Sequence, residues 1–305
     1  MKRYIIKRIS QIIPVLLLIV LVVFMLVYVA GDPVALMLSE DATQEEVQQL
    51  RESLGLDLPV HQQFITYVGN ILQGDFGRSY RYNQDAMSIV VERLPATLEL
   101  AAASMAVALI ISIPLGVWSA TKQNSFFDIF ATGGSILGKA MPNFWLGIML
   151  ILLFAVNMQI FPVSGRGTPM HLVLPAITLG TGIAAEMTRL IRSNMLENLG
   201  QDYIRTARAK GLKERTTVYR HALKNSMVTV VTITFIQVST LVGGALVTEV
   251  VFAWPGLGQL LVQAVYTRDM AIVQAGVFVI AIMVIFINLF ADILYRWLDP
   301  RIQYE

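Results

Sequence analysis

The sequence predicts an all-α membrane protein that crosses the bilayer six times. Of its 305 residues, 55% are hydrophobic and only 14% are charged. A soluble domain is about a quarter charged, so this composition is too apolar for an ordinary solvated surface. Apolar runs of about 20 residues or more, long enough to span a bilayer as a helix, recur along the chain between polar segments. The predicted crossings are about 9–31, 96–120, 129–161, 172–192, 226–248 and 270–292.

The distribution of Lys and Arg predicts the orientation of the chain. Four of the first eight residues are basic, and a second basic cluster occupies residues 202–224. Because Lys and Arg are enriched in cytoplasmic loops, both clusters and both chain termini are predicted to be cytoplasmic. The first crossing has a longer apolar run than a signal-peptide core, and Tyr28 stands where a small residue would precede cleavage. It is therefore interpreted as an uncleaved anchor.

The apolar run 129–161 is longer than a single crossing requires. Its 33 residues would form about 50 Å of helix, whereas the hydrocarbon core is about 30 Å thick. Two crossings here would put the two basic clusters on opposite sides of the membrane. The run is therefore predicted to be one tilted or broken crossing, divided at Lys139 and Pro142.

The chain divides into an N-terminal part, residues 1–95, and a transmembrane core, residues 96–305. Residues 32–95 contain ten acidic residues, four Arg and no Lys. This composition predicts a small extracytoplasmic segment after the anchor helix, and apolar residues at helical spacing in 44–54 predict that it is partly ordered. Together with the turn at 249–258, the segment is expected to shape the outer mouth of the protein.

The stretch 202–224 carries seven of the 23 Lys and Arg residues. Asp202 is predicted to cap a short helix, and Gly211 can take the left-handed conformation that ends one. Apolar residues recur at helical spacing on one side, with Arg on another. This shape predicts a docking helix for a protein partner in the cytoplasmic loop 193–225, rather than ordinary cytoplasmic charge or a patch for anionic lipid. The predicted helix, at about 201–212, contains Asp202, Tyr203, Ile204, Arg205, Thr206, Ala207, Arg208, Ala209, Lys210, Gly211 and Leu212.

Charged residues within crossings are candidate functional residues, because burying a charge in a bilayer is costly. Lys139 is the deepest of them, and Glu186 and Arg189, three positions apart, are predicted to pair with each other. The alternative is that these three residues form a proton or ion relay in a channel or ion-coupled transporter that needs no ATPase. A secondary transporter usually has more than six crossings and pseudo-symmetric halves, which this sequence lacks.

The turn at 249–258 is a further candidate for the transport path. Glu249 ends the fifth predicted crossing, and Trp254 is expected to lie at the membrane interface, where aromatic residues are enriched. A gate shaped by the Pro and Gly residues of the turn is the alternative interpretation.

One segment resembles a nucleotide-binding motif but is interpreted differently. Residues Gly133–Lys139 match G-x-x-x-x-G-K, yet Ala140 stands where the magnesium-binding Ser or Thr belongs. Gly134 and Gly138 are instead predicted to allow close helix approach. The chain has no Cys and its three His are far apart, so no metal site is expected. Neither ATP binding nor catalysis by this chain, nor a nucleic-acid partner, is expected.

Two polar segments carry a family resemblance. Residues 202–211 read D-Y-I-R-T-A-R-A-K-G, and residues 220–225 read R-H-A-L-K-N. Here the chain resembles inner-membrane permease subunits of binding-protein-dependent ABC importers, specifically the dipeptide/oligopeptide/nickel type. Of the general family signature, E-A-A, three residues, G, nine residues, I-x-L-P, it keeps Ala207, Gly211 and Leu223. Further matches to the family lie at 31–33, 74–79 and 249–258.

The resemblance implies a type I ABC importer permease fold and a set of partners. These partners are a homologous second permease, two ABC ATPase subunits that hold ATP and Mg²⁺, and an extracytoplasmic solute-binding protein. The assembly would lie in the lipid bilayer of a bacterial or archaeal cytoplasmic membrane. The cytoplasmic helix of such a permease fits a groove on an ATPase subunit. The residues implied are Tyr203, Ile204, Ala207 and Gly211 for fit and Arg205, Arg208 and Lys210 for charge contacts.

The resemblance also implies the class of cargo, di- or oligopeptides or a related small solute. Glutathione, opines and nickel or other metal chelates are handled by permeases of this type. No residue of the chain discriminates among them, because selection lies largely in the binding protein.

Overall fold

The computed structural model of the chain describes residues 2–30, 34, 43–53 and 55–298. These residues form helices joined by turns, with an isolated antiparallel β-bridge between Arg78 and Asp85. The helices, in chain order, are α1 (Lys2–Ala30), α2 (Gln44–Ser53), α3 (Val60–Leu72), α4 (Ala86–Thr121), α5 (Phe126–Ala140), α6 (Asn143–Asn157), α7 (Pro169–Leu199), α8 (Asp202–Ala209), α9 (Glu214–Gly244), α10 (Leu246–Val251), α11 (Leu257–Thr267) and α12 (Met270–Leu298).

Several helices have the length and composition of membrane spans. Helices α4, α7, α9 and α12 are each long and apolar enough to cross a bilayer. Helices α5 and α6 pass the same test as a pair, and α1 contributes the shorter apolar stretch Ser10–Met25. With α5 and α6 counted as one broken crossing, these helices are consistent with six crossings. The prediction of an all-α polytopic membrane protein is confirmed.

The break between α5 and α6 has a local chemical cause. The two helices are bent by 101° relative to each other. Pro142 lacks the N–H needed to continue α5, and a residue that precedes proline is driven away from helical dihedrals. Met141 accordingly has an extended backbone, with φ −75° and ψ 126°. The predicted division of this run at Lys139 and Pro142 is confirmed.

Several helices extend beyond the predicted crossings. Helix α4 begins at Ala86, α7 continues to Leu199, and α9 begins at Glu214 with a π-helical stretch at Thr217–Leu223. Much of the predicted loop 193–225 is therefore helical. Hydropathy marks only the part of a helix that lies in the membrane, whereas the i→i−4 hydrogen bonds of the backbone continue into water.

The described residues group into two compact units. The first unit combines residues 1–97 with residues 255–285. In its core the start of α4 packs with α11 and the start of α12 around Leu257, and the ring of Phe76 lies 5.0 Å from that of Phe278. The unit thus joins the N-terminal part of the sequence to a segment from near its end.

The polar segment after α1 contains the helix that its spacing predicts. Helix α2 runs from Gln44 to Ser53, so the helical interpretation of 44–54 is confirmed for the described residues. Leu54 and the family match at 31–33 lie outside the described residues.

The second unit combines residues 98–254 with residues 286–305, and α7 is its central helix. Helices α5, α6 and α9 all pack against α7. At Gly180, a Cβ atom would lie 2.7 Å from the backbone oxygen of Ser104 in α4. The absence of a side chain at Gly180 therefore lets α4 and α7 pack closely.

Candidate coupling helix and intramembrane charge sites

The short helix α8 has a different N-cap residue from the one that the sequence predicted. Its N-cap residue is Gln201, without a side-chain cap, and Asp202 is the first helical residue. The prediction that Asp202 caps the helix is wrong. The carboxylate of Asp202 nevertheless lies in the first turn, where it interacts favourably with the positive end of the helix dipole.

The end of α8 is closed by Gly211, as predicted. Gly211 has φ +77°, in the left-handed region that glycine adopts at little cost. Its N–H donates to the carbonyl of Arg208 at 2.9 Å, and the N–H of Leu212 donates to the carbonyl of Ala207 at 3.3 Å. This pair of bonds is a Schellman motif, which makes the C-terminus of α8 rigid.

Only part of the predicted docking surface faces outward. Ile204 and Ala207 are buried within the chain, with 0% and 6% of their surface exposed. They anchor α8 to its own protein, so they are not free to fit a groove on a partner. The exposed residues of the predicted set are Asp202, Tyr203, Arg205, Thr206, Arg208, Ala209, Lys210, Gly211 and Leu212.

Two polar contacts attach α8 to the spanning helices on either side of it. Arg208 donates to both carboxylate oxygens of Glu214, the first residue of α9, at 2.7 and 3.1 Å. These hydrogen bonds raise the pKa of Arg208, which stays charged. The hydroxyl of Tyr203 donates to Asn198 of α7 at 2.9 Å. Helix α8 is therefore held at both ends by membrane-spanning helices.

Asn198 extends this connection. Its amide donates to the hydroxyl of Ser226 in α9 at 3.1 Å. Arg205, by contrast, has only a 3.4 Å contact with Asp202, and both side chains are highly exposed. The guanidinium of Arg205 is thus accessible to a partner, whereas that of Arg208 is engaged by Glu214.

The intramembrane charges pair differently from the sequence prediction. Glu186 of α7 lies 2.5 Å from Lys139 of α5, and it does not form the predicted local pair with Arg189. Spacing along one helix cannot reveal a neighbour on another helix, and α5 packs directly against α7. The side chain of Arg189, on the same helix, is exposed.

A second ion pair joins the same two helices, and the sequence analysis missed it. Arg192 of α7 binds both carboxylate oxygens of Asp128 at 2.7 and 2.8 Å. Asp128 also accepts hydrogen bonds from the hydroxyl of Ser119 and, at 3.0 Å, from the N–H of Asn124. The available signal was an acidic residue in a short connection between two crossings. Its partner, 64 positions away, has no sequence relation to it.

The turn after α10 is folded into the protein rather than placed at its surface. Glu249 and Trp254 have 0% and 1% of their surface exposed, so both are packed within the protein. The expected position of Trp254 at the membrane interface stays a prediction. The N–H of Trp254 donates to the carbonyl of Glu249 at 2.8 Å, and Arg166 lies over the Trp254 ring at 5.8 Å. Arg166 also pairs with Glu99 at 2.6 Å. The role of this turn as a gate stays a prediction.

The segment that matches a phosphate-binding loop lies inside α5. Its backbone N–H groups are therefore used in a helix rather than arranged around a phosphate. A Cβ atom at Gly138 would lie 3.3 Å from that of Ala185 in α7, whereas Gly134 has no neighbour within 4 Å. Within the described residues, Gly138 provides the predicted close approach and Gly134 does not.

These features define a class of protein. The chain is a polytopic helical protein in which a short helix, exposed on one side, is fixed between two spans. The chain matches the family described as binding-protein-dependent transport system inner membrane component over residues 112–304. It also matches the N-terminal family of the same components over residues 1–101. The chain belongs to this family and is a permease subunit of a peptide-type ABC importer.

Curated relatives match over their full length. The chain is 42% identical to the oligopeptide transport system permease protein AppB of Bacillus subtilis (strain 168), over 100% of both chains. It is 40% identical to the dipeptide transport system permease protein DppB of Escherichia coli (strain K12), and 38% identical to the glutathione transport system permease protein GsiC of Salmonella typhimurium. These two matches also cover 100% of each chain.

Solved structures share the fold. An inward-facing structure of the MetNI methionine ABC transporter aligns with a TM-score of 0.59 at 22% identity, covering 70% of this chain and 97% of that chain. An amino acid ABC transporter solved with histidines aligns with a TM-score of 0.56 at 11% identity, covering 69% and 94%. At these identities the likeness establishes the ABC importer permease fold.

The family decides between the two functions that the sequence left open. The relatives are permease subunits of binding-protein-dependent importers, which supports the importer over a channel or ion-coupled transporter based on Lys139, Glu186 and Arg189. They are transport subunits rather than enzymes, and the several apolar helices identify a multi-pass membrane protein.

Proposed function

We propose that this chain forms, with a homologous second permease, the path by which short peptides enter the cell across the cytoplasmic membrane. The names of its relatives support this cargo, because oligopeptides, dipeptides and glutathione are all short peptides. An extracytoplasmic binding protein delivers the peptide. Two ATPase subunits on the cytoplasmic side, where both termini of the chain lie, bind and hydrolyse ATP with Mg²⁺, while this chain binds neither.

The attachment of α8 is the observation that supports this proposal most directly. Ile204 and Ala207 bury one side of the helix, while Arg208 and Tyr203 connect it to α9 and α7. A helix held in this way transmits a displacement to two spans instead of bending. Closure of the ATPases around ATP would move α8 and, with it, the inner ends of α7 and α9.

The outer surface of α8 supplies the contacts for the ATPase. Arg205 and Lys210 are exposed and carry positive charge, which complements carboxylates lining a groove on the partner. Tyr203 and Leu212 add exposed apolar surface at either end of this charge. The ATPase groove binds α8 only in those permease conformations in which the two surfaces fit. As the groove changes during the ATPase cycle, it therefore shifts the equilibrium between the inward-facing and outward-facing forms of the permease.

Co-purification of the ATPase from membranes tests the docking role. Replacing Arg205 and Lys210 together with Glu is expected to abolish it, because two exposed charges then repel an acidic groove. Gly211→Pro is expected to do the same, since proline cannot adopt φ +77° and removes the N–H that bonds to Arg208. Arg215→Glu, an exposed reversal beyond α8, is the matched control.

The result depends on normal permease levels in the membrane. Loss of the ATPase with both α8 variants and its retention by Arg215→Glu support the proposal. Retention by both α8 variants, or absence of any ATPase from the wild-type preparation under gentle conditions, contradicts it.

The mounting of α8 is tested separately by Glu214→Gln. This change removes the charged partner of Arg208 but leaves the outer surface of α8 intact. We expect the ATPase to co-purify normally. The amount of peptide imported per ATP hydrolysed is expected to fall, because a displacement of α8 is then transmitted only partly to α9. Unchanged coupling in proteoliposomes would show that the Arg208–Glu214 contact does not transmit motion.

A further inference from the structure

An open cavity of about 330 Å³, with both polar and apolar residues in its wall, lies among α5, α6, α7 and α9. Its size is within the range of small-molecule sites, about 300–1,000 Å³. Lys139 and Glu186 form part of the wall, together with the side-chain amides of Asn143 and Gln237. The cavity therefore offers both signs of charge and several hydrogen-bonding groups within the membrane-spanning part of the protein.

The ion pair is carried by helices of the apolar, membrane-spanning part of the chain. Lys139 lies in the last turn of α5, just before the break at Pro142, and Glu186 lies thirteen positions from the end of α7. Helix α7 is long and apolar enough to cross a bilayer, and α5 and α6 pass the same test as a pair. Ionisable residues on such helices usually face the interior of the bundle or a cavity and serve a transport path.

The pair is accessible in spite of its short distance. The side chain of Lys139 is 57% exposed and that of Glu186 is 35% exposed. A buried ion pair that joins two helices stabilises them most when the remaining donors and acceptors of both side chains are also hydrogen-bonded. The open side of this pair leaves both charged groups within reach of a solute in the cavity.

Glycines keep the cavity open beside this pair. A Cβ atom at Gly182 would lie 3.4 Å from the side-chain oxygen of Asn143, and Gly244 has no neighbour within 4 Å. Both glycines belong to the cavity wall. Side chains at these positions would project into the space that a ligand needs.

We propose that this cavity is a subsite of the transport path that binds a zwitterionic peptide through its free termini. The peptide carboxylate pairs with Lys139 and the peptide ammonium group pairs with Glu186, so one ion pair is exchanged for two. The exchange adds no net charge to the membrane interior, where net charge is costly. The assignment rests on the proposed function, because it states where the peptide cargo is held.

The polarity of the subsite follows from α6. This helix begins at Asn143 on the cavity wall, and the positive end of its dipole favours a carboxylate nearby. The peptide carboxylate therefore binds on the side of Lys139 and Asn143. The ammonium group binds on the side of Glu186 and Gln237, which both belong to the cavity wall.

The test uses the complete importer, with both permeases and both ATPases, purified without its binding protein. Equilibrium binding of radiolabelled L-alanyl-L-alanine is measured in competition with the unlabelled peptide, its N-acetyl form and its C-terminal amide. The unblocked peptide is expected to compete about tenfold or more better than either blocked form, because each block removes a charged hydrogen bond. Equal competition by the blocked forms, or no measurable binding, overturns the subsite.

Variants locate the binding. Lys139→Met and Glu186→Gln are each expected to raise Kd by about ten- to hundredfold, the loss expected for one charged hydrogen bond. Lys122→Met and Glu197→Gln, exposed positions outside the cavity wall, are the matched controls and keep the wild-type Kd. An unchanged Kd in either cavity variant overturns the subsite.

A charge-reversed pair separates ligand binding from folding. The double variant Lys139→Glu/Glu186→Lys keeps an ion pair between α5 and α7, so its Tm is expected to match the wild type. Its peptide affinity is expected to stay at least about tenfold weaker, since the reversed charges oppose the dipole of α6. Full recovery of both properties would show that the pair acts only as a connection between helices, and would overturn the subsite.

A parallel transport measurement distinguishes this inference from the function on which it rests. ATP-driven uptake of the same dipeptide is measured in proteoliposomes with the binding protein present. Uptake without subsite binding overturns the subsite alone. Absence of uptake by the wild-type importer overturns peptide import and the subsite with it.

Discussion

Two ion pairs connect the same helices, α5 and α7, but their surroundings are opposite. Asp128 and Arg192 form two short hydrogen bonds, and only 6% of the Asp128 side chain is exposed. Lys139 and Glu186 form one short contact and remain open to a cavity. The chemistry of the charged groups is alike, so their environment decides what each pair can do.

The difference separates an ion pair that holds two helices together from one that is accessible. Asp128 has its carboxylate satisfied by Arg192, Ser119 and Asn124, so it holds the start of α5 against α7. Such a closed pair is costly to break, because its partner is left unpaired. An open pair contributes little to stability, but it can be offered to a solute.

The largest effect on stability is expected for Asp128→Asn. The change keeps the shape of the side chain but leaves Arg192 without its carboxylate, and we expect a loss of about 3 kcal/mol in the free energy of unfolding. Thermal unfolding of the purified protein in detergent, followed by tryptophan fluorescence, would show a clearly lower Tm. Glu197→Gln, an exposed change on the same helix α7, serves as the control. Equal Tm values for the two variants would mean that the closed pair is not a structural connection.

A smaller effect is expected at Gly138, where α5 lies close to α7. Gly138→Ala places a Cβ atom 3.3 Å from that of Ala185, so one helix must shift slightly, at an expected cost of about 1 kcal/mol. Gly134→Ala, one turn earlier on α5, meets no neighbour within 4 Å and is expected to leave Tm unchanged. If both substitutions lower Tm alike, the α5–α7 spacing is not set at Gly138.

The smallest effect on stability is expected for the open pair. Lys139→Met and Glu186→Gln should each change the free energy of unfolding by about 1 kcal/mol or less, because the charged group that is left unpaired still faces an open cavity and is not enclosed by other side chains. The same unfolding measurement applies, with Asp128→Asn as the reference for a closed pair. A loss as large as that of Asp128→Asn would remove the distinction between the two pairs.

The local features of the site were predictable from the sequence, because they depend on a few neighbouring residues. Gly211 could be assigned as the end of α8, since only glycine takes a left-handed conformation at little cost. The break at Pro142 followed from the missing N–H and from the limits that proline places on the residue before it. Six apolar runs and two basic clusters were sufficient to predict the spans.

Other features required the three-dimensional arrangement. The helical spacing of Glu186 and Arg189 predicted a local pair, yet α5 brings Lys139 within 2.5 Å of Glu186. The burial of Trp254 was also not predictable, because hydropathy indicates where a crossing ends but not which residues pack around the turn that follows it. Both features depend on tertiary contacts that sequence spacing does not encode.

What the sequence determined by itself was the helical class, the number of apolar runs, the break in the third crossing and the position of the short helix α8. Each of these follows from backbone chemistry or from the cost of exposing polar groups to lipid. Both effects depend on continuous stretches of sequence, about one to five helical turns long. Only the tertiary structure decided which charges meet. The pairing of Asp128 with Arg192 and of Lys139 with Glu186 depends on how α5 packs on α7, and no rule of sequence spacing encodes that packing.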